Sequence, residues 1–301
     1  MNTKEKYDAL INSMDEYTYK WEPKGYSDPS KPILKITKSS LGSHDWCPKK
    51  YHFSYIQRLP QDQTEAMLKG TVVHNAREDF FKDFDIAKAE TMNNTEILEY
   101  CQSPFPVDDY LDIYLTIAST EAERFIEARE DNKLNEFLPI VNEGLFDAEI
   151  TFRKNQSKRY PLSRDYKIHL QGIIDRIFIE GTSLIPMELK TGPWKDYKTT
   201  SMRKEMAFYQ LMIESAPDEV LAMNNLTRDM KVTHWGWYYP VSNYLYVEQA
   251  KKRSMTSVYD GIGKLLTAYE KNKFAAKFYY KTCTHCSFFG ICDEAQTDSW
   301  L

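Results

Sequence analysis

Two carboxylates and an ammonium group lie close together in the middle of this chain. Asp175 stands in Gly172-Ile173-Ile174-Asp175-Arg176, and Glu188 and Lys190 stand in Met187-Glu188-Leu189-Lys190-Thr191-Gly192. Side chains alternate faces along a strand, so Glu188 and Lys190 share one face and Met187 and Leu189 the other. Gly181-Thr182 separates the two segments, and glycine at the first central position suits a two-residue type II′ turn. Such a turn pairs Glu180 with Ser183, and the same register brings Asp175 opposite Glu188. Cross-strand partners sit about 5 Å apart at Cβ, where like charges repel. A divalent cation removes the conflict, because hard oxygen donors suit Mg²⁺ or Mn²⁺. Lys190 beside them can orient an attacking water or stabilise a pentavalent phosphate. From spacing alone, a salt-bridged and solvated strand face reads equally well. A turn longer by one residue would put the two acids on opposite faces, so the chemistry depends on the turn.

A second set of residues suits a soft centre. Cys283-Thr284-His285-Cys286-Ser287-Phe288-Phe289-Gly290-Ile291-Cys292 has C-x2-C-x5-C spacing, and thiolates prefer zinc or iron–sulfur clusters. A fourth ligand is needed, and Cys47, in Trp46-Cys47-Pro48, is the best candidate. If the centre is zinc, His285 or His52 can enter the shell. Cys101 falls outside the pattern and reads as a buried or surface thiol.

These residues together resemble the PD-(D/E)xK nuclease superfamily, in particular its RecB-like branch. That branch includes the nuclease domains of bacterial recombination helicase–nucleases and CRISPR-associated exonucleases. The resemblance implies a restriction-endonuclease-like α/β core, a central mixed sheet flanked by helices, with Asp175, Glu188 and Lys190 as the catalytic set. It implies that His74, in Gly70-Thr71-Val72-Val73-His74, is a third metal ligand, with the Leu189 carbonyl as another. Taken alone, His74 is more often a satisfied core histidine. Family members carry Gln-x-x-x-Tyr on the next helix. Here Tyr209 matches, but Glu205 replaces the glutamine; four-residue spacing keeps the pair on one helix face. The resemblance also implies a [4Fe–4S] cluster on Cys47, Cys283, Cys286 and Cys292 that staples the domain shut. It favours exonuclease action on single-stranded DNA ends. Ring-like assemblies of relatives leave homo-oligomerisation open. The alternative is a DNA-binding or partner-docking subunit of a recombination or repair complex, without turnover.

The elements that must position these groups follow from patterning. The chain has 301 residues, 42% hydrophobic, enough for a sizeable core. Its net charge of −5 excludes indiscriminate coating of nucleic acid, though a local basic groove can still attract DNA. Lys49, Lys50 and Arg58, interleaved with Tyr51, His52 and Tyr55, suit single-stranded DNA through phosphate attraction and base stacking. The same stretch also reads as an amphipathic helix with Phe53 and Ile56 in the core. Trp194 and Lys195, just past the catalytic strand, can approach the substrate, whereas Trp235, Trp237, Tyr238 and Tyr239 read as sheet core. No apolar run approaches the length of a membrane span, about 18 residues, and the N-terminus lacks a signal peptide's apolar core. The expected location is the cytoplasm, where disulfides are rare. No phosphate loop is present, so any unwinding needs a separate helicase.

Length alone allows one large domain or two small ones; the resemblance implies a single RecB-like nuclease domain over 1–301. Residues 1–63 supply an N-terminal arm and the first cluster cysteine, with a short helix near the start and Cys47 within a helix after Thr37. Residues 64–84 (a helix) and 145–250 form the core, and 85–144 a helical insert. Strands are expected at 146–152, 167–179 and 183–190, a helix at 199–215 and a hairpin at 232–248. Residues 251–301 form a C-terminal helix, over 254–271, and the cluster cysteines.

Overall fold

The computed structural model describes residues 34–61, 63–279 and 283–295. The arm and short helix expected over 1–30 lie outside the described residues. β1 (Leu34–Ile36), α1 (Lys38–Trp46) and α2 (Pro48–Tyr51) come first, followed by α3 (Glu65–Asp83), α4 (Ile86–Glu90), α5 (Asn94–Gln102) and α6 (Leu111–Glu130). Then come β2 (Val141–Phe152), β3 (Tyr166–Glu180), β4 (Ser183–Leu189), α7 (Thr199–Ser215) and α8 (Asp218–Met223). β5 (Lys231–Val232), β6 (His234–Tyr239), β7 (Tyr244–Gln249) and α9 (Lys252–Glu270) close the order. Of these, β1 and α8 have no counterpart in the sequence reading.

The strands make a seven-stranded mixed sheet in the order β1-β3-β4-β6-β7, with β2 paired to β3 and β5 to β4. The expected α/β class, a mixed sheet flanked by helices, is what forms. The described residues divide into two compact units: those within 34–61, 149–170 and 256–295 make one, and 63–148 with 171–255 the other.

In the first unit, Thr37 starts α1 with a reciprocal cap: its hydroxyl accepts from the Ser40 amide at 3.0 Å, and the Ser40 hydroxyl accepts from the Thr37 amide at 2.9 Å. Cys47 is not inside that helix, as expected from the sequence, but at its end. It is extended (φ −156°, ψ 115°), because Pro48 bars its predecessor from the helical region and itself opens α2. A π-helical turn (His52–Ile56) follows. Phe53, Leu59 and Phe288 form a small buried cluster against Cys286 and Cys292.

In the second unit, the helices α3–α6 and one face of the sheet share a core. Val73, Phe80 and Phe84 meet Ile117 and Phe125, and Phe178, Ile185, Met187 and Leu189 close it from the strands. The odd-numbered residues of β4 thus face the helices, which leaves Glu188 on the other side. The β3–β4 hairpin has the expected register, with Glu180 opposite Ser183 and Arg176 opposite Met187. Gly181 has φ +60° and, among the described residues, Thr182 has no positive φ, which is the type II′ pattern. β4 contains Pro186 in mid-sheet, where a missing N–H normally breaks a ladder. The neighbouring strand accommodates it. β5 pairs Ser183 with Lys231 and β6 pairs Met187 with Gly236, offsets of 231 − 183 = 48 and 236 − 187 = 49. One extra residue, beside Pro186, is the signature of a bulge.

Candidate functional site

The hairpin register carries Asp175 to a place opposite Glu188, and both are buried, at 7% and 3% exposure. Buried carboxylates need partners. Asp175 Oδ2 accepts from the Leu189 amide at 2.8 Å. Glu188 has a cation on one oxygen and a phenol on the other: Lys190 Nζ donates to Oε1 at 2.6 Å, and the Tyr209 hydroxyl donates to Oε2 at 2.5 Å. Tyr209 and Glu205 come from α7, four residues apart, and Glu205 Oε2 lies 2.9 Å from the same ammonium. Lys190 is thus clamped between two acids. Burial pulls its pKa down, but Glu188 and Glu205 override this and raise it, so it stays charged. Burial, followed by the charges of Glu188 and Asp175, holds Tyr209 well above the usual phenol range and keeps it a donor.

His74 enters from α3. Its Nε2 is 3.2 Å from the Leu189 carbonyl oxygen, and its Nδ1 lies 3.5 Å from Asp175 Oδ2 and 3.8 Å from Glu143 Oε1. Nε2 thus faces the carbonyl and Nδ1 faces the acids, and these partners orient the ring. The carbonyl keeps a second lone pair. Burial lowers the imidazole pKa, but the hydrogen bond to Glu143 and the charges of Asp175, Glu188 and Glu143 together raise it. Ligand atoms of His74, Glu143 and Asp175 all lie within 4.8 Å of one another. One imidazole and several carboxylates form a donor set that fits Mg²⁺ or Mn²⁺.

Glu143 was missed by the sequence reading. It sits in β2 with φ 55°, a left-handed conformation that costs a non-glycine residue about 1–3 kcal/mol. Gly144 after it makes the kink feasible, since a Cβ there would lie 2.2 Å from Val141 Cγ1 and 2.4 Å from Asn224 Oδ1. The only sign in the sequence is this glycine within a strand pattern.

Behind the acids lies a layer of buried arginines. The Arg176 guanidinium is fully buried and donates to Glu143 Oε1 at 3.2 Å. Burial and Arg77 pull its pKa down to about 10. Arg77, from α3, donates to Glu121 Oε1 of α6 at 2.7 Å, and Arg124 holds the other oxygen of Glu121.

In the first unit, Cys47, Cys283, Cys286 and Cys292 line one cavity with Trp46 and Phe53. The Lys277 amide donates to Cys47 Sγ at 3.5 Å. Burial raises the Cys286 thiol and pushes Cys292 up to about 11. Lys49 and Lys50 line the same cavity; Lys49 pairs with Glu294 at 3.6 Å, and Lys50 lies over the Trp46 ring at 4.6 Å. Arg58 is exposed with φ 53°. Cys101 is fully buried in the second unit, its thiol raised to about 12 by burial and Glu121. No described helix is long and apolar enough to cross a membrane.

Comparison with known families matches residues 35–293 to the PD-(D/E)XK nuclease superfamily. No curated protein matches. Among solved structures, one titled "Crystal structure of SSO0001" is 12% identical, covering 78% of this chain and 100% of its own, with a TM-score of 0.33.

Proposed function

The chain belongs to the PD-(D/E)XK nuclease superfamily, and from that premise we propose that it is a metal-dependent deoxyribonuclease, acting as an exonuclease on single-stranded DNA ends. The observation that carries this reading is the gathering of His74, Glu143 and Asp175 ligand atoms within 4.8 Å of one another, with Asp175 on the same hairpin as the Glu188–Lys190 pair. His74, Asp175, Glu188, Glu143 and the Leu189 carbonyl would hold Mg²⁺ or Mn²⁺. That ion, when bound, supplies Lewis acidity and a water of lowered pKa.

The chain's own groups do the rest. Tyr209 and Lys190 occupy one oxygen each of Glu188 and so fix the carboxylate plane. Lys190 remains an ammonium and presents positive charge where a phosphate would gain negative charge on attack. Its two acids keep it oriented before substrate arrives, so no reorganisation is needed during reaction. Glu205, 2.9 Å from Lys190, takes part in this positioning.

The four thiols of the first unit are assigned to a [4Fe–4S] cluster within the RecB-like branch. A soft centre binds these residues as thiolates, so its binding must drive their deprotonation. Lys49, Lys50 and Arg58 are assigned to phosphate contact.

The test is end-labelled single- and double-stranded DNA with Mn²⁺, the purified protein and its Glu188→Ala variant. Wild type should shorten single strands progressively and the variant should lose at least about 100-fold in rate. Equal degradation by both, or none by either, overturns the reading.

A further inference from the structure

Past the Lys190 strand end, the chain builds an aromatic array that the nuclease chemistry above does not use. Trp194 is tied to the turn after β6 by its amide, which donates to Ser242 Oγ at 2.9 Å. Its indole stacks on Tyr244 at 4.5 Å and 12°, meets Tyr239 edge-on at 5.0 Å, and lies nearly parallel to Trp237 at 6.2 Å. Tyr244 in turn lies parallel to Tyr246 at 5.9 Å and 7°. The array begins beside the acids, since Trp237 is the register partner of Glu188, one strand spacing away, about 4.8 Å. Trp194, Tyr244 and Tyr246 are half-buried, and β7 is the last strand of the sheet order. Three residues beyond Trp194, Tyr197 holds 76% of its surface in solvent. No ring contact to it is found among the described residues.

The charge around these rings opposes that of the whole protein. From Trp194 to Lys204 there are four cations, Lys195, Lys198, Arg203 and Lys204, against one acid, Asp196, in a chain of net charge −5; of the four, Arg203 is paired with Glu248 of β7 at 2.5 and 2.7 Å. Lys198 is held over the Tyr239 ring at 5.1 Å, and burial, then Lys195 and Lys190, lowers its pKa. The rings and ammonium groups thus share one strip of surface.

We propose that this strip, with Tyr197 as its exposed ring, is a stacking platform for the unpaired bases of a single nucleic-acid strand led toward Glu188. The inference rests on the nuclease reading and names how its substrate is gripped. Stacked rings offer planar, sequence-tolerant contact to splayed bases, and the lysines meet the backbone. A duplex hides its bases and gains little from such rings.

The test measures binding of the full chain to a labelled oligothymidylate and to an abasic strand of equal length, in EDTA so that neither is cut. Tyr197→Ala should weaken the base-bearing strand about 5- to 100-fold, the range one stacked base supports. Tyr197→Phe should bind as wild type does, and the abasic strand should be held equally by wild type and Tyr197→Ala. If Tyr197→Ala binds the base-bearing strand like wild type, or loses the same factor on both strands, the platform is overturned. Glu188-dependent cutting by wild type in that case leaves the nuclease reading standing; wild type that neither binds nor cuts removes both.

Discussion

Among the acids around His74, Glu143 reaches its place through its backbone rather than through strand alternation. Its positive φ turns the carboxylate to a point between Arg176 and the imidazole, 3.2 Å from one and 3.8 Å from the other. A residue held in a costly conformation beside a cluster of acids marks a functional site. Glu143→Gln keeps the size and an acceptor for Arg176 but removes the charge. Calorimetric titration with Mn²⁺ should show affinity falling about tenfold or more; unchanged affinity would remove Glu143 from the ligand set. Asp175, Glu188 and Lys190 were legible in the sequence because period-two alternation and one local glycine turn determine where they point. Glu143 was not, because alternation assumes regular strand geometry and the kink departs from it. The Lys190 clamp was half legible. Helical spacing put Glu205 and Tyr209 on one face, but whether an acid could stand in for the amide depended on its distance from the ammonium.

At the scale of elements, the strongly periodic helices and the β3–β4 hairpin were readable, because their residues interact with neighbours a few positions away. The contact between α3 and α6 was not. Arg77 and Glu121 are separated by 44 residues, and nothing in either helix announces its partner. The contact is energetically demanding, since Arg77 and Glu121 are 1% and 0% exposed. Burial by itself raises the Glu121 pKa, but Arg124 and Arg77 outweigh it and hold the group below its usual value. A lowered folded-state pKa contributes stability that is present above the unfolded value, about 4.3, and is lost as pH falls through the folded one. Glu121→Gln leaves Arg77 buried without a counter-charge and should destabilise the protein by about 3–5 kcal/mol at pH 7. Thermal melts between pH 7 and pH 3 should show the gap between wild type and variant narrowing on the acid side. A gap of constant size, or no destabilisation at neutral pH, would show that the pair carries no such linkage.

Across the whole molecule, the mixture of strands and helices was readable from patterned segments and the mixed sheet followed from the family resemblance, whereas Cys47 was placed within a helix that in fact ends before it. Pro48 held the necessary information, as a proline excludes its predecessor from the helical region. The correction bears on function, because an extended Cys47 between two short helices faces the same cavity as the C-terminal thiols. The sulfurs come from positions separated by 283 − 47 = 236 residues. Closing so long a loop through one inorganic centre removes chain entropy worth on the order of 5 kcal/mol from the unfolded state, by the same logic as a disulfide. Cluster content and folding should therefore move together. Anaerobically purified wild type should be brown and carry about four irons per chain when cluster loading is complete. Cys286→Ala should lose colour and iron and melt at a lower temperature, while Cys101→Ser should keep its iron because Cys101 lies in the other unit. Iron analysis, visible absorption and thermal melts on the three proteins decide it. Colourless, iron-free wild type that melts at the same temperature as Cys286→Ala would show that the four thiols hold no such centre.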